Sequence, residues 1–465
     1  MFRSIKAFVA RGTLAAVVAI GPADQAPAPP PGPLTLEGAV AFARQHYPAI
    51  RASLADLAAA EANVDLARAA YWPSTKVRAG IDRATRNNVF GLSLPNAVTP
   101  SISGPVLDSE STSTFGSSLG VLLSWEPFDF GVRGARVRVA EALESRAGAD
   151  QAVVEYEVSL AVADAYFSVV AQRQAVTAAT ATVERMQVFA DTVAVLVANE
   201  LRPGADGSRA QAELAQARTE LIRGQQAADS ALVTLAQALG LAGESLELRP
   251  GRLLGDPPPA VASEVLLEDH PRAAAQQAQV AIAEARRDAA AKAWRPTVLL
   301  QSAVYGRGSG ANIDGTFAGG AGGLSPSVSN WAVGVSVNFD LLGFAAHDAT
   351  RRIETQEAAR EQANRDMVFQ SIRGDVARAD IAVEAARQVA ANTPVQLDAA
   401  RTLEGQATAR YRAGLGTVVE VAEAQRLLRQ AEVEDALARL GVWRALFGLA
   451  AATGEMNDLL HTSSN

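Results

Sequence analysis

Two carboxylates, Glu420 and Glu423, stand three residues apart at the opening of a helical stretch, so both fall on one helix face. Carboxylates gathered in this way concentrate cations and repel anions. Arg426 follows Glu423 by three residues, so an ordinary solvated ion pair is the competing account. An earlier, similar segment holds Ala210 and Glu213 at the corresponding places. The run Gly306-Arg-Gly308-Ser-Gly310 has the glycines of a phosphate loop but not the strand–turn–helix setting such a loop requires. No catalytic constellation is found. There is no cysteine, and His46, His270, His347 and His461 stand far apart. Thiol catalysis, disulfides, cysteine metal sites and lipid attachment to an N-terminal cysteine are excluded, and neither metal nor cofactor is expected.

The elements that position these residues occur twice. Tyr47-Pro48 is followed 25 residues later by Trp72-Pro73, and His270-Pro271 by Arg295-Pro296 at the same interval. Each first proline fits the opening turn of an alanine-rich helix and each second one stops it. Alternating strands follow, expected at 74–90 and 113–126 in one copy and at 297–306 and 329–340 in the other. Trp331, Val333, Val335, Val337 and Phe339 share one face, and Ala332, Gly334, Ser336 and Asn338 the other. Apolar outward, small or polar inward, with aromatics at the rims, is the pattern of a membrane barrel. Trp125, Trp331 and Phe339 are the expected membrane-interface aromatics, although simple core aromatics would look the same.

Each strand pair closes on a similar signal, Phe128-Asp129-Phe130-Gly131 or Phe339-Asp340-Leu341-Leu342-Gly343. Long helices follow. From Ala135 to Asn199 there is no proline, and Val176, Ala179, Val183, Met186, Ala190, Val193 and Val197 form a heptad seam. The second long helix contains Pro394, which predicts a kink. Both turn sharply, at Arg202–Ser208 and at Arg412–Thr417, and return helices follow. The turn glycines Gly204, Gly207, Gly414 and Gly416 are expected to supply positive φ. Arg133, Arg136 and Arg138 read as solvated residues at the edge of the membrane.

Residues 1–23 have a basic start (Arg3, Lys6, Arg11), a short apolar run (Thr13–Ile20) and a small-residue exit, which predicts a secretory signal peptide without fixing its cleavage point. A proline-rich linker, 24–34, has no packing face. The first repeat is placed at 35–255, the second at 260–452, with Pro257-Pro258-Pro259 between them and a tail at 453–465. Net charge is −8, which argues against nucleic acid as a partner. Four strands are too few to close a barrel around a channel, and no open sheet edge survives in lipid. The chain must therefore oligomerise; three copies give twelve strands.

From the signal peptide onward the chain resembles the TolC-like outer-membrane factors. The resemblance rests on both repeats, the strand insertions, the Phe-Asp transitions and above all Tyr411-Arg-Ala-Gly414-Leu-Gly416-Thr417-Val-Val-Glu420-Val-Ala-Glu423-Ala424. It implies a mainly α fold, with long coiled-coil-like helices forming an α-barrel tunnel in the periplasm and a homotrimeric twelve-stranded β-barrel in the outer membrane of a Gram-negative bacterium. It implies no enzyme. Its partners would be outer-membrane lipid, a periplasmic adaptor and an inner-membrane transporter. Arg202, Gly204, Gly207, Ser208, Arg412, Gly414, Gly416 and Thr417 would form the tips that meet the adaptor, and Glu420 with Glu423 the acidic periplasmic gate. The function implied is the exit duct of a tripartite efflux pump for small molecules. A type I protein-secretion duct is the alternative, and a periplasmic coiled-coil adaptor or scaffold a second.

Overall fold

A computed structural model describes residues 32–85, 113–258, 267–310, 316, 319–340 and 342–464. The expected signal peptide, most of the linker, residues 86–90 of the first expected strand, Leu341 and the last proline of the inter-repeat run lie outside these. Helix α1 (Leu36–His46) starts at Thr35, whose hydroxyl accepts from the Gly38 N–H at 3.1 Å. Helices α2 (Pro48–Ala69) and α5 (Pro271–Ala290) both begin on their prolines. Each leads into an antiparallel pair: β1 (Ser74–Thr85) with β2 (Ser113–Phe128), and β3 (Thr297–Ser309) with β4 (Val328–Asn338). The four strands make one sheet in the order β1-β2-β3-β4.

Register aligns Val77, Val121, Val304 and Trp331 in one row across the sheet. Rows on either side place Leu119, Trp125, Leu300, Val333, Val335 and Val337 on that same face. Val77, Val304, Val333, Val335 and Val337 are exposed in the single chain. The glycine run belongs to β3 and the bend beyond it. A Cβ at Gly308 would collide with the Ser325 carbonyl, and one at Gly310 with Thr114 Oγ1, so close packing accounts for these glycines.

Two helices of matched length leave the sheet, α3 (Val132–Ala198, 67 residues) and α6 (Phe344–Arg412, 69 residues), each about 100 Å long. They return as α4 (Gly204–Ala238) and α7 (Val418–Thr453). α6 stays helical through Pro394. The donor lost there lies beside Thr393, whose hydroxyl donates to Asp435 Oδ1 on α7 at 3.1 Å, so the weakened turn is tied to its neighbour. α7 is the one helix among the described residues apolar and long enough to cross a bilayer; half of that stretch is buried, as in a core helix.

The main core gathers α1, the middle of α3 and the ends of α4 and α7 around the fully buried Tyr166 and Trp443. Two expectations change here. Leu34, placed in the linker, is buried and bridges to Leu248, with the Tyr166 hydroxyl 2.9 Å from its carbonyl. The C-terminal segment is not a loose tail. Gly454 takes φ 87°, and the Glu455 N–H donates back to the Ala450 carbonyl at 2.8 Å. That turn sends helix α8 (Met456–Ser464) back onto the core, where Met456 and Leu460 are buried.

Candidate functional site

The tips of the two hairpins meet, and one residue organises the meeting. Tyr411, near the end of α6, is 1% exposed and packs on Phe189 of α3 at 5.4 Å between ring centroids. Its hydroxyl donates to Asp206 Oδ2 at the start of α4, 3.2 Å away. Burial, then the Asp206 carboxylate, pushes the phenol above its ordinary pKa, so it stays protonated and donating. Arg202, in the first turn, stacks its guanidinium 4.4 Å from the Tyr411 ring centroid and donates to the Tyr411 carbonyl at 2.5 Å. Further from the tips, Arg185 of α3 pairs with Glu432 of α7 at 2.7 Å, and Arg429 of α7 with Glu220 of α4 at 3.3 Å. Each hairpin is thus fastened to the other by charged and aromatic contacts over an apolar cluster that includes Met186, Val193, Leu214 and Val421.

The two arginines expected at the tips differ in their surroundings. Arg202 is committed to the opposite hairpin, whereas Arg412 is exposed. Of the four turn glycines only Gly414 has positive φ, at 81°. In the first turn Glu200 takes that conformation, at 57°. Gly204 and Gly207 lie in the opening turn of α4, and Gly416 is needed for close approach: a Cβ there would sit 3.2 Å from Tyr411 N. Ser208 and Thr417 are exposed, as are Leu201 (69%) and Leu415 (72%), one leucine at each tip.

Glu420 and Glu423 lie at the start of α7, both exposed. Thr417 caps that helix, accepting from the Glu420 N–H at 3.3 Å while its hydroxyl lies 3.3 Å from Glu420 Oε1. Glu423 pairs with Arg426 at 2.7 Å, and this hydrogen-bonded guanidinium holds its carboxyl below the usual range. Of their counterparts, Ala210 is buried, and Glu213 reaches Arg209 at 4.0 Å. Glu213, Glu220 and Glu423 line a groove of about 270 Å³ between α4 and α7, facing Arg209, Arg426 and Arg429.

At the other end, the Phe-Asp-x-Gly transition is a built junction. Asp129 accepts from the Gly131 N–H at 3.0 Å and from the Arg133 N–H and Nε at 2.5 and 2.9 Å. Arg133, expected to be solvated, is 5% exposed; it also donates to the Ala70 carbonyl at 3.1 Å and stacks 4.7 Å from the Tyr71 ring centroid. Arg136 and Arg138 are exposed as expected. Burial raises the Asp129 pKa, but the hydrogen bonds from Arg133 and Gly131 outweigh it and leave the carboxyl below its ordinary value. Arg295 of the second repeat donates to the Phe130 carbonyl of the first at 2.5 Å. The equivalent Asp340 caps Gly343 at 2.9 Å but is exposed, and its one cationic partner among the described residues is His347, at 3.8 Å.

Around the junction stand Trp125, whose indole donates to the Tyr71 carbonyl at 3.0 Å, and Phe339, stacked edge-on to Trp294 at 6.3 Å. Trp331 lies eight residues from Phe339 along the chain, about 27 Å higher along the strand direction.

The sequence profile of the outer membrane efflux proteins matches residues 40–241 and 262–455. The chain belongs to that family. Protein CyaE of Bordetella pertussis is 31% identical over 454 residues, covering 94% of this chain and 88% of its own length. CusC superposes with a TM-score of 0.74 at 16% identity, over 90% of this chain and 92% of its own. The outer membrane protein VceC from Vibrio cholerae does so at 0.70 and 16% identity, over 90% and 96%. These likenesses establish the TolC-like fold, mainly α with a small β-barrel part. As an outer membrane efflux protein the chain is a channel and no enzyme, placed in the outer membrane of a Gram-negative bacterium with its long helical part in the periplasm. Family membership removes the grounds for an adaptor or scaffold.

Sequence reasoning missed Tyr411, Asp206 and the Asp129–Arg133 pair. The last had a local signal, since an aspartate four residues before an arginine at a helix start predicts an ion pair.

Proposed function

We propose that three copies of this outer membrane efflux protein close one barrel and form the passive exit duct of a tripartite pump, carrying small molecules from periplasm to exterior. One observation carries the reading: a four-stranded sheet with two free edges and one face dominated by exposed apolar side chains, among them Val77, Val304, Trp331, Val333, Val335 and Val337, mounted on helices about 100 Å long. Lipid tolerates neither free edge, so β1 of one copy pairs with β4 of the next. Trp125 and Phe339, the latter packed on Trp294, anchor the periplasmic rim, and Trp331 the opposite one.

The hairpin tips are the docking end. Leu201 and Leu415 offer apolar contact amid Ser208, Arg412 and Thr417, the surface an adaptor's helical hairpin would cover, with the inner-membrane transporter beyond it. Glu420 and Glu423, repeated three times around the axis, place six carboxylates at the periplasmic opening. Because Arg426 offsets Glu423, their field is moderate. Alanine at both positions should lower cation-over-anion permeability in planar bilayers about two- to threefold; unchanged selectivity would remove the pair from the opening.

The function itself is tested in a deletion strain challenged with dyes, detergents, metal ions and antibiotics while its secreted proteins are profiled. Hypersensitivity rescued by the intact gene is the expected result. Normal resistance with one secreted protein missing would make the chain a type I secretion duct instead.

A further inference from the structure

The apolar face of the sheet meets lipid, so the opposite face lines the bore, and its charges are arranged in a way the lipid-facing pattern does not require. Inward rows run across all four strands. One joins Lys76, Leu122, Ala303 and Ala332; the next Arg78, Gly120, Tyr305 and Asn330; the next Gly80, Ser118, Arg307 and Val328. Each of these three successive rows therefore carries one cation and no carboxylate. Lys76, Arg78 and Arg307 are exposed, and neither Lys76 nor Arg78 has a carboxylate partner among the described residues. Gly120 stands beside Arg78, Ser118 and Val328 beside Arg307, and Leu122 beside Lys76, none of them charged, so the long basic side chains are free to reach into the bore. The described strands hold only two acidic residues: Glu126, within the bulge at the lower end of β2, and Asp82, which the register places one row above Gly80. Arg83 stands in register with Phe115 and stacks on its ring, 5.0 Å from the centroid, so it belongs to the lipid-facing side.

We infer that the membrane section of the duct is lined by a cationic belt of Lys76, Arg78 and Arg307 that favours anionic cargo, meaning solutes bearing carboxylate, sulfonate or phosphate groups. The inference rests on the trimeric duct proposed above. Three copies stack three rings of three charges, about 7 Å apart along the strands, so the belt spans about 14 Å. Neighbouring rings lie within about one Debye length at physiological salt, and their fields reinforce one another. In a bore walled by a low-dielectric sheet, such a ring raises the local concentration of counter-ions. The duct would then carry opposite fields in series, acidic at the periplasmic opening and basic in the membrane.

The test is the reversal potential of the purified full-length protein in planar bilayers under a potassium chloride gradient. The triple variant Lys76→Gln, Arg78→Gln, Arg307→Gln should lower the chloride-over-potassium permeability ratio about threefold or more. Lys76→Arg with Arg78→Lys and Arg307→Lys keeps every charge and should keep the ratio. A conducting glutamine variant with the wild-type ratio overturns the belt and leaves the duct standing. A charge-keeping variant that shifts as far as the glutamine one also overturns it, because packing rather than charge would then set the selectivity. Wild-type protein that inserts and passes no current under any condition overturns the duct and the belt together.

Discussion

Replacing Arg202 with alanine should open the channel: conductance in planar bilayers rises by an order of magnitude or more while the oligomer stays intact. Arg202 reaches across from the first hairpin, donates to the Tyr411 carbonyl and stacks on the Tyr411 ring. If the tips part when the duct opens, these contacts exist only in the closed arrangement. A charge-assisted hydrogen bond contributes about 1.5–3 kcal/mol and a cation–π contact about 0.5–2 kcal/mol. Loss of about 2 kcal/mol per copy shifts a closed–open equilibrium more than tenfold, and three copies opening together multiply that factor. Tyr411→Phe removes only the neutral-donor bond to Asp206 and leaves the stacking, so its effect should be smaller. Equal conductance of the wild type and Arg202→Ala would mean that the fastening holds the hairpins without controlling passage.

Asp129→Ala should be the most destabilising single change at the strand-to-helix junction. It leaves Arg133 buried with no counter-charge, at a cost of about 3–5 kcal/mol. It also removes the acceptor of the Gly131 and Arg133 backbone N–H groups, just where Phe130 and Gly131 hold consecutive positive φ values of 51° and 91°. Asp340→Ala, at the exposed counterpart, should cost far less. Thermal unfolding of the detergent-extracted protein checks both, and comparable losses for the two would refute the asymmetry. The pH dependence follows the sign of the shift. The Asp129 carboxyl is held below its unfolded value, so its stabilisation is complete above the ordinary carboxylate range and is lost as pH falls through the lower folded value. Replacing Asp129 and Arg133 together with leucine and methionine should recover part of the loss, since no unpaired charge remains.

Much of the architecture was legible because its signals are local and repeated. Proline at the first turn, a heptad seam without proline, and period-2 strands each follow from a few neighbouring residues. The Val183–Val197 stretch of α3 supplies Met186, Ala190 and Val193 to the buried cluster as its spacing implies. What escaped depended on distance in the chain. Tyr411 lies 205 residues from Asp206, so nothing in either neighbourhood marks them as partners. Arg202 looked like the twin of Arg412, and only the crossing of two hairpins separates their roles. The C-terminal helix was missed for a related reason: Met456 and Leu460 are too few to announce a helix until α1 and α7 supply the surface they cover. The glycines misled in the other direction, since Glu200 adopts the left-handed conformation that a glycine was expected to take.

The sheet closes only between copies, with β1 of one chain against β4 of the next. The absence of cysteine makes this directly measurable. Single cysteines at Val77, Ala79 or Ile81 would be paired in turn with cysteines at Val333, Val335 or Val337, and cells oxidised with the protein in its membrane. At least one pair should give a covalent species of three chains on a denaturing gel, and neither cysteine alone should do so. Exclusively monomeric chains across the whole scan, in protein that is folded and membrane-embedded, would contradict it.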